Sequence, residues 1–231
     1  MKLEMLDLAL FYKGHMIISD VHIGYEEMLN KSGYMLPRHQ YKDTEARLLR
    51  LLRRKPQRIV INGDLKHEFV KISDQEWRDT LKILDLLGEN VELILVRGNH
   101  DTVLDPITDK RQISVRGSYI VDDIMFVHGD QIVDIPEEVR TIVIGHEHPA
   151  VSISDGVRSE IYKCFLKGKY KGKTLIVQPS FNLVTEGTDV TKEELLSPYI
   201  KDIKSFEVFV VGEKIHPFGK VRDLLQNRTS Y

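Results

Sequence analysis

Cysteine is almost missing from this chain: Cys164 is the only one in 231 residues. No intramolecular disulfide can form, which suits a reducing compartment, and a metal site built from several thiolates is excluded. No apolar run approaches the ~20 residues needed to span a bilayer. Glu4 and Asp7 interrupt the stretch that a secretory leader would keep apolar. A charge excess is missing too. The 33 basic and 35 acidic residues leave a formal net charge of −2, so no global positive field announces a nucleic-acid binder. There is no Ser/Gly linker, internal repeat or low-complexity block. The expectation is a cytoplasmic protein with no membrane partner, folded as one domain over residues 1–231. Nothing in the sequence sets its oligomeric state.

What the chain does contain is a soluble globular composition, 42% apolar and 29% charged, with enough length to bury ~70–75% of its unfolded surface. Apolar, β-branched runs predict strands at Met16–Asp20, Arg58–Asp64, Glu92–Gly98, Ile124–Gly129 and Thr141–Gly145. Helical periodicity falls between them, at Tyr41–Arg54 and at Asp74–Leu87, the latter with Ser73 as N-cap. Further strands are predicted at Ala150–Ser154, Glu160–Leu166, Thr174–Gln178 and Phe206–Val211, with short helices at Lys192–Leu196 and Val221–Asn227. The fold class expected is α/β, with two packed sheets.

The predicted strands end in chemistry. Ligands in α/β sheets bind beyond the carboxyl ends of strands, and here those ends read Ser19-Asp20-Val21-His22, Gly63-Asp64, Gly98-Asn99-His100-Asp101, Val127-His128-Gly129 and Gly145-His146-Glu147-His148. Each is weak alone. A strand-end aspartate is most often a turn or helix cap, and a lone histidine is most often a satisfied polar side chain. With His67 just beyond Asp64 they include six of the nine histidines, and burying so many imidazoles beside Asp20, Asp64 and Asn99 is costly unless cations pair with them. Oxygen and nitrogen donors without thiolate suit Mn, Fe or Zn, and their number suffices for two ions. If the backbone stays extended through Gly145-His146-Glu147-His148, the two imidazoles point the same way.

The series D-x-H, G-D, G-N-H-D, H and G-H-x-H, in this order from about Met16 to Pro149, resembles the calcineurin-like metallophosphoesterases. That resemblance implies a four-layer α-β-β-α sandwich of two mixed sheets flanked by helices. It assigns Asp20, His22 and His148 to one divalent ion, Asn99, His128 and His146 to a second, and Asp64 to both. Manganese is the first choice, with Fe, Ni or Zn as alternatives. The implied activity is phosphoester hydrolysis by a metal-bridging hydroxide, with His100 as proton donor to the leaving oxygen. Asp101 either holds the His100 ring or caps the helix after it.

Gly63-Asp64-Leu65-Lys66-His67 looks like the SbcD-type nucleases, in which a histidine at this place orients the scissile phosphate. Together with Gln178-Pro179-Ser180-Phe181-Asn182, it also resembles the archaeal SbcD-related phosphoesterases and the PdeM ligase-associated endonuclease group. A phosphodiester substrate follows as the expectation, nucleic acid among the candidates. Phosphomonoesters and small (cyclic) nucleotides are the alternative, and a noncatalytic scaffold is a third reading. Arg38 and His39, in the loop before the first long helix, are candidate substrate contacts. Two basic stretches, Arg47–Lys55 and Lys167–Lys173, are candidate phosphate contacts, with Tyr170 able to stack on a base.

Overall fold

Strict alternation of side chains in the parallel strands determines the layering. The structure, a computed structural model, describes residues 3–69, 72–89, 91–154 and 158–228. One sheet takes β1 (Glu4–Leu6), β2 (Ala9–Tyr12), β3 (His15–Ile18), β4 (Arg58–Asn62), β5 (Glu92–Val96) and β6 (Ser114–Arg116), in that order. The first three form an antiparallel meander, and β3 to β6 run parallel. Parallel neighbours need crossovers, which carry α1 (Tyr25–Lys31), α2 (Gln40–Leu52), α3 (Asp74–Gly88) and α4 (Asp105–Lys110). Ser73 caps α3 as expected, its hydroxyl accepting the Glu76 N–H at 3.1 Å.

The second sheet holds β7 (Tyr119–Val121), β8 (Ile124–Phe126), β9 (Thr141–Ile144), β10 (Pro149–Ser154), β11 (Ser159–Tyr170), β12 (Lys173–Val177), β13 (Thr188–Asp189), β14 (Glu207–Val211) and β15 (Ile215–Lys220). Its order is β13-β10-β11-β12-β9-β8-β7, with β14 paired to the middle of β11, at Cys164 to Lys167, and to β15.

Ile17, Val60 and Ile94 point from the first sheet onto Phe126, Val143, Phe165 and Ile176 of the second. Their chain neighbours Met16, Ile18, Ile59, Ile61, Leu93 and Leu95 point the other way, onto Leu48 and Leu51 of α2 and Ile83, Leu84 and Leu87 of α3. Each such side chain contributes about 1.5–3 kcal/mol when fully buried. A one-residue slip in β4 would reverse both faces at once.

The outer face of the second sheet departs from expectation. Ile142, Ile144, Leu175 and Val177 are covered by Val190, Tyr199, Ile200 and Ile203, which lie in irregular chain. Among the described residues, only α5 (Val221–Arg228) is helical there. The helix expected at Lys192–Leu196 does not form. The Leu196 and Ser197 N–H groups go to the Glu147 carboxylate, and Glu193 turns back to accept the Asp189 N–H. Pro198 also disfavours a helical Ser197. Among the described residues, no helix is long and apolar enough to cross a membrane.

Candidate metal centre

Strands β3, β4, β5, β8 and β9 stop at residues 18, 62, 96, 126 and 144, a few residues before the polar side chains of interest. Beyond them the backbone leaves extended geometry. Asp20, His22, Asp64, His146 and His148 all have positive φ, from 47° to 63°. For a non-glycine residue this left-handed region costs about 1–2 kcal/mol, so surrounding structure must hold each one there. An extended backbone is therefore not what positions His146 and His148. The intervening Glu147 N–H turns back onto the Gly145 carbonyl at 2.7 Å, and the two imidazoles go to different clusters.

One cluster is Asp20, His22 and His148; another is Asp64, His128 and His146. In each, one ligand atom per residue lies within 4.8 Å of the others. His148 Nε2 is 3.3 Å from Asp20 Oδ1 and 3.2 Å from His22 Nε2. His128 Nε2 is 3.3 Å from Asp64 Oδ2 and 3.0 Å from Asn99 Oδ1. Asp64 Oδ2 also lies 3.7 Å from His22 Nε2, which puts this carboxylate between the clusters. Its other oxygen is occupied by the His100 backbone N–H at 2.9 Å.

Two motif glycines are required by close approach. A Cβ on Gly98 would lie 2.4 Å from the Asp64 backbone nitrogen, and one on Gly145 would lie 1.9 Å from Ser19 Oγ and 2.4 Å from Asp20 Oδ2. The glycines let separate strand ends pack against one another at the centre.

The electrostatics fit a cation. Burial raises the Asp20 carboxyl, but the imidazoles of His148 and His128 and the Ser19 hydroxyl outweigh it and hold the pKa down at about 2. Burial lowers His128, yet contact with Asp64 and the charges of Asp20 and Asp64 push it up to about 9. A proton there takes the place of positive charge that the carboxylates demand. Burial and the neighbouring His148 drive His22 well below the usual imidazole range, leaving its lone pair for another partner. Converging imidazole lone pairs, two buried carboxylates and the Asn99 carbonyl are what a pair of borderline divalent ions takes.

Buried polar groups fix this arrangement, and Asp101 is the main correction. Its carboxylate is fully buried and accepts the N–H groups of Asp64 at 2.8 Å, Gly98 at 3.1 Å and Leu65 at 3.1 Å. It neither holds the His100 ring nor caps α4, because three backbone donors already fill it. Lys66, fully buried, donates to the carbonyls of Glu68 and His100. Glu76 accepts the N–H groups of His67 and Glu68, both at 2.9 Å. Ser180 Oγ donates to the Asp20 carbonyl at 2.8 Å, and Asn182 N–H to the same oxygen at 3.1 Å. Gln40 Nε2 donates to the His22 carbonyl at 2.8 Å. Sequence reading missed Gln40, Lys66, Glu76 and Glu147. The one available signal was Glu147, a carboxylate set between two histidines.

A cleft of about 350 Å³ opens over the centre, lined by His22, Tyr25, His67, His100, His148 and Leu196 among others. The His67 and His100 rings stack there, with centroids 5.2 Å apart at 26°. Burial and the neighbouring His100 hold His67 down at about 4. His100 Nδ1 faces the His67 carbonyl, and the Phe69 ring covers it at 3.7 Å between centroids. With His22 these two form a third, all-imidazole cluster.

Arg38 and His39 do not line this cleft. Arg38 pairs with Gln75 beside a separate recess, and Glu26 holds the chain there by accepting the His39 and Gln40 N–H groups at 2.7 Å. Tyr170 is not free to stack on a base, since it is buried against Tyr199. Several of the basic side chains are already engaged, Arg47 with Asp7, Arg54 with Glu4 and Lys167 with Glu207.

Residues 16–140, more than half of the chain, match the calcineurin-like phosphoesterase family, and the protein belongs to it. It is a metal-dependent phosphoesterase of that family. The crystal structure of nuclease MPE from Pseudomonas putida is similar to it with a TM-score of 0.66 at 21% identity, over 94% of each chain. YfcE, a phosphoesterase from E. coli, gives a TM-score of 0.41 at 15% identity over 84% of this chain and 87% of its own. No curated protein matches the sequence.

Proposed function

We propose that this phosphoesterase hydrolyses phosphodiesters, with nucleic acid as the substrate class, and that it works with two divalent ions, manganese first among the candidates. Asp20, His22 and His148 would hold one ion, Asn99, His128 and His146 the other, and Asp64 would serve both. Bound there, the ions supply Lewis acidity toward the phosphoryl oxygens and lower the pKa of the attacking water.

The chain's own residues supply the rest. His100 faces a carbonyl with Nδ1, which keeps a proton on that atom and makes Nε2 the exchanging nitrogen. Nε2 lies on the Asp64 side, 3.9 Å from Oδ2, where it can deliver a proton to the departing alkoxide. His67 lies beside it as a neutral donor to a nonbridging oxygen.

The observation that carries the diester reading is His67, which lines the cleft over the candidate metal centre and stacks on His100 with centroids 5.2 Å apart. A neutral imidazole there can donate to a nonbridging oxygen of a singly charged diester. The nuclease of like fold agrees with nucleic acid as that diester. The test compares bis- with mono-p-nitrophenyl phosphate, then single- and double-stranded DNA, in wild type and His67→Ala with manganese. A loss of about 10²-fold confined to diesters is expected. Equal losses on mono- and diesters contradict the reading.

A further inference from the structure

The segment 182–188 has a cavity on each side. Asn182, Gly187 and Thr188 line the cleft over the candidate metal centre, whereas Leu183, Val184 and Glu186 line a second cavity of about 690 Å³. Volumes of this order are typical of small-molecule sites. The second cavity joins an apolar surface, with Leu8, Val184 and Val211, to three cationic side chains, Arg47 and Arg50 of α2 and Lys163 of β11, against two carboxylates, Asp43 and Glu186.

Lys163 is the anomaly. Its Nζ is buried and has no hydrogen-bond partner among the described residues. The side chain rises from the β10–β11 ladder, where Lys163 pairs with Ala150, so the backbone cannot carry the charge out to solvent. Burial and the neighbouring Arg47 outweigh the more distant charges of Asp20 and Glu186 and lower its pKa to about 8, and a buried ammonium with no bonded partner is costly. Packing alone would be served better by methionine. Arg47 is held in place by Asp7, its Nε lying 2.8 Å from Oδ1. Arg50 is exposed on the next turn of α2 and stands at the rim. An arriving oxyanion would supply the missing counter-charge, and the apolar wall would take the body of the molecule that carries it.

We propose that this cavity is a second binding site, outside the catalytic cleft, for an organic phosphate of mononucleotide size, with Lys163 as the buried counter-charge and Arg50 at the rim. The proposal does not depend on the diester reading, since it concerns a different cavity.

Equilibrium dialysis of 5′-AMP against the full, manganese-loaded chain tests it, with inorganic phosphate and adenosine as separate probes. Wild type binds AMP at a class of site that survives chelation of the metal. Lys163→Met weakens that class about tenfold or more, and Lys163→Arg keeps it. Turnover of bis-p-nitrophenyl phosphate by Lys163→Met stays within about twofold of wild type. Ligand-free Lys163→Met melts no lower than wild type, because an uncompensated charge has been removed. AMP binding unchanged in Lys163→Met overturns the proposal, as does a single AMP class that disappears with the metal. Adenosine binding as tightly as AMP overturns the phosphate assignment. A marked fall in melting temperature for Lys163→Met assigns the lysine to the fold instead.

Discussion

The Asp101 carboxylate holds the backbone of Asp64: Oδ2 accepts the Asp64 N–H at 2.8 Å and the Gly98 N–H at 3.1 Å, while Oδ1 accepts the Leu65 N–H at 3.1 Å. Through these bonds it fixes the left-handed turn at Asp64, whose side chain lies between the two clusters. Asp101→Ala leaves three buried donors unpaired and should cost about 3 kcal/mol or more in urea unfolding. Asp101→Asn keeps an acceptor for two of them but turns an NH₂ toward Leu65, and should cost about half as much. Both should weaken manganese binding about 10–100-fold, read by titration. Asp101→Asn with full metal affinity would show that the turn needs no such support.

Gly98 and Gly88 make a controlled pair. A methyl on Gly98 meets the Asp64 backbone nitrogen at 2.4 Å, whereas one on Gly88, at the end of α3, meets nothing within 4 Å. Gly98→Ala should abolish metal-dependent turnover and lower the melting temperature. Gly88→Ala should leave turnover unchanged and stabilise by about 0.5–1 kcal/mol. Retained activity in Gly98→Ala would contradict the close packing described here.

Metal affinity should depend on pH through His128. In the metal-free protein its pKa is pushed up to about 9, so near neutrality an incoming ion must displace a proton. Affinity should rise roughly tenfold per pH unit between pH 7 and 9, and calorimetry in buffers of different ionisation enthalpy should report one proton released. The metal-free fold behaves in the opposite way. A raised folded-state pKa gives stability that is complete below the unfolded value near 6.5 and lost as pH rises through about 9. The metal-free protein should therefore melt lower at pH 9.5 than at pH 6.5. Manganese affinity that is flat with pH would exclude the proton competition.

The sequence made the strand ends legible because apolar period-two runs such as Arg58–Asn62 break into polar residues at one end only. It also made the side chains of the candidate centre legible, because Asp20, His22, Asp64, Asn99, His128, His146 and His148 lie in short motifs. The support did not show, because it comes from distant parts of the chain: Gln40 reaches His22, and Ser180 reaches Asp20. The left-handed backbone at His146 and His148 also ran against local preference, so an extended strand was the natural reading. At Lys192–Leu196, helical composition lost to the Glu147 carboxylate. The short elements β1, β2 and α1 carry too few residues to show a period.

Asp64 lies between two clusters that could each hold a cation, and manganese electron paramagnetic resonance with metal analysis reads whether it joins two ions. Wild type should hold two manganese ions per chain with an exchange-coupled spectrum, and Asp64→Ala should lose the coupling. One uncoupled ion per chain in the wild type, or coupling that survives in Asp64→Ala, would contradict the account.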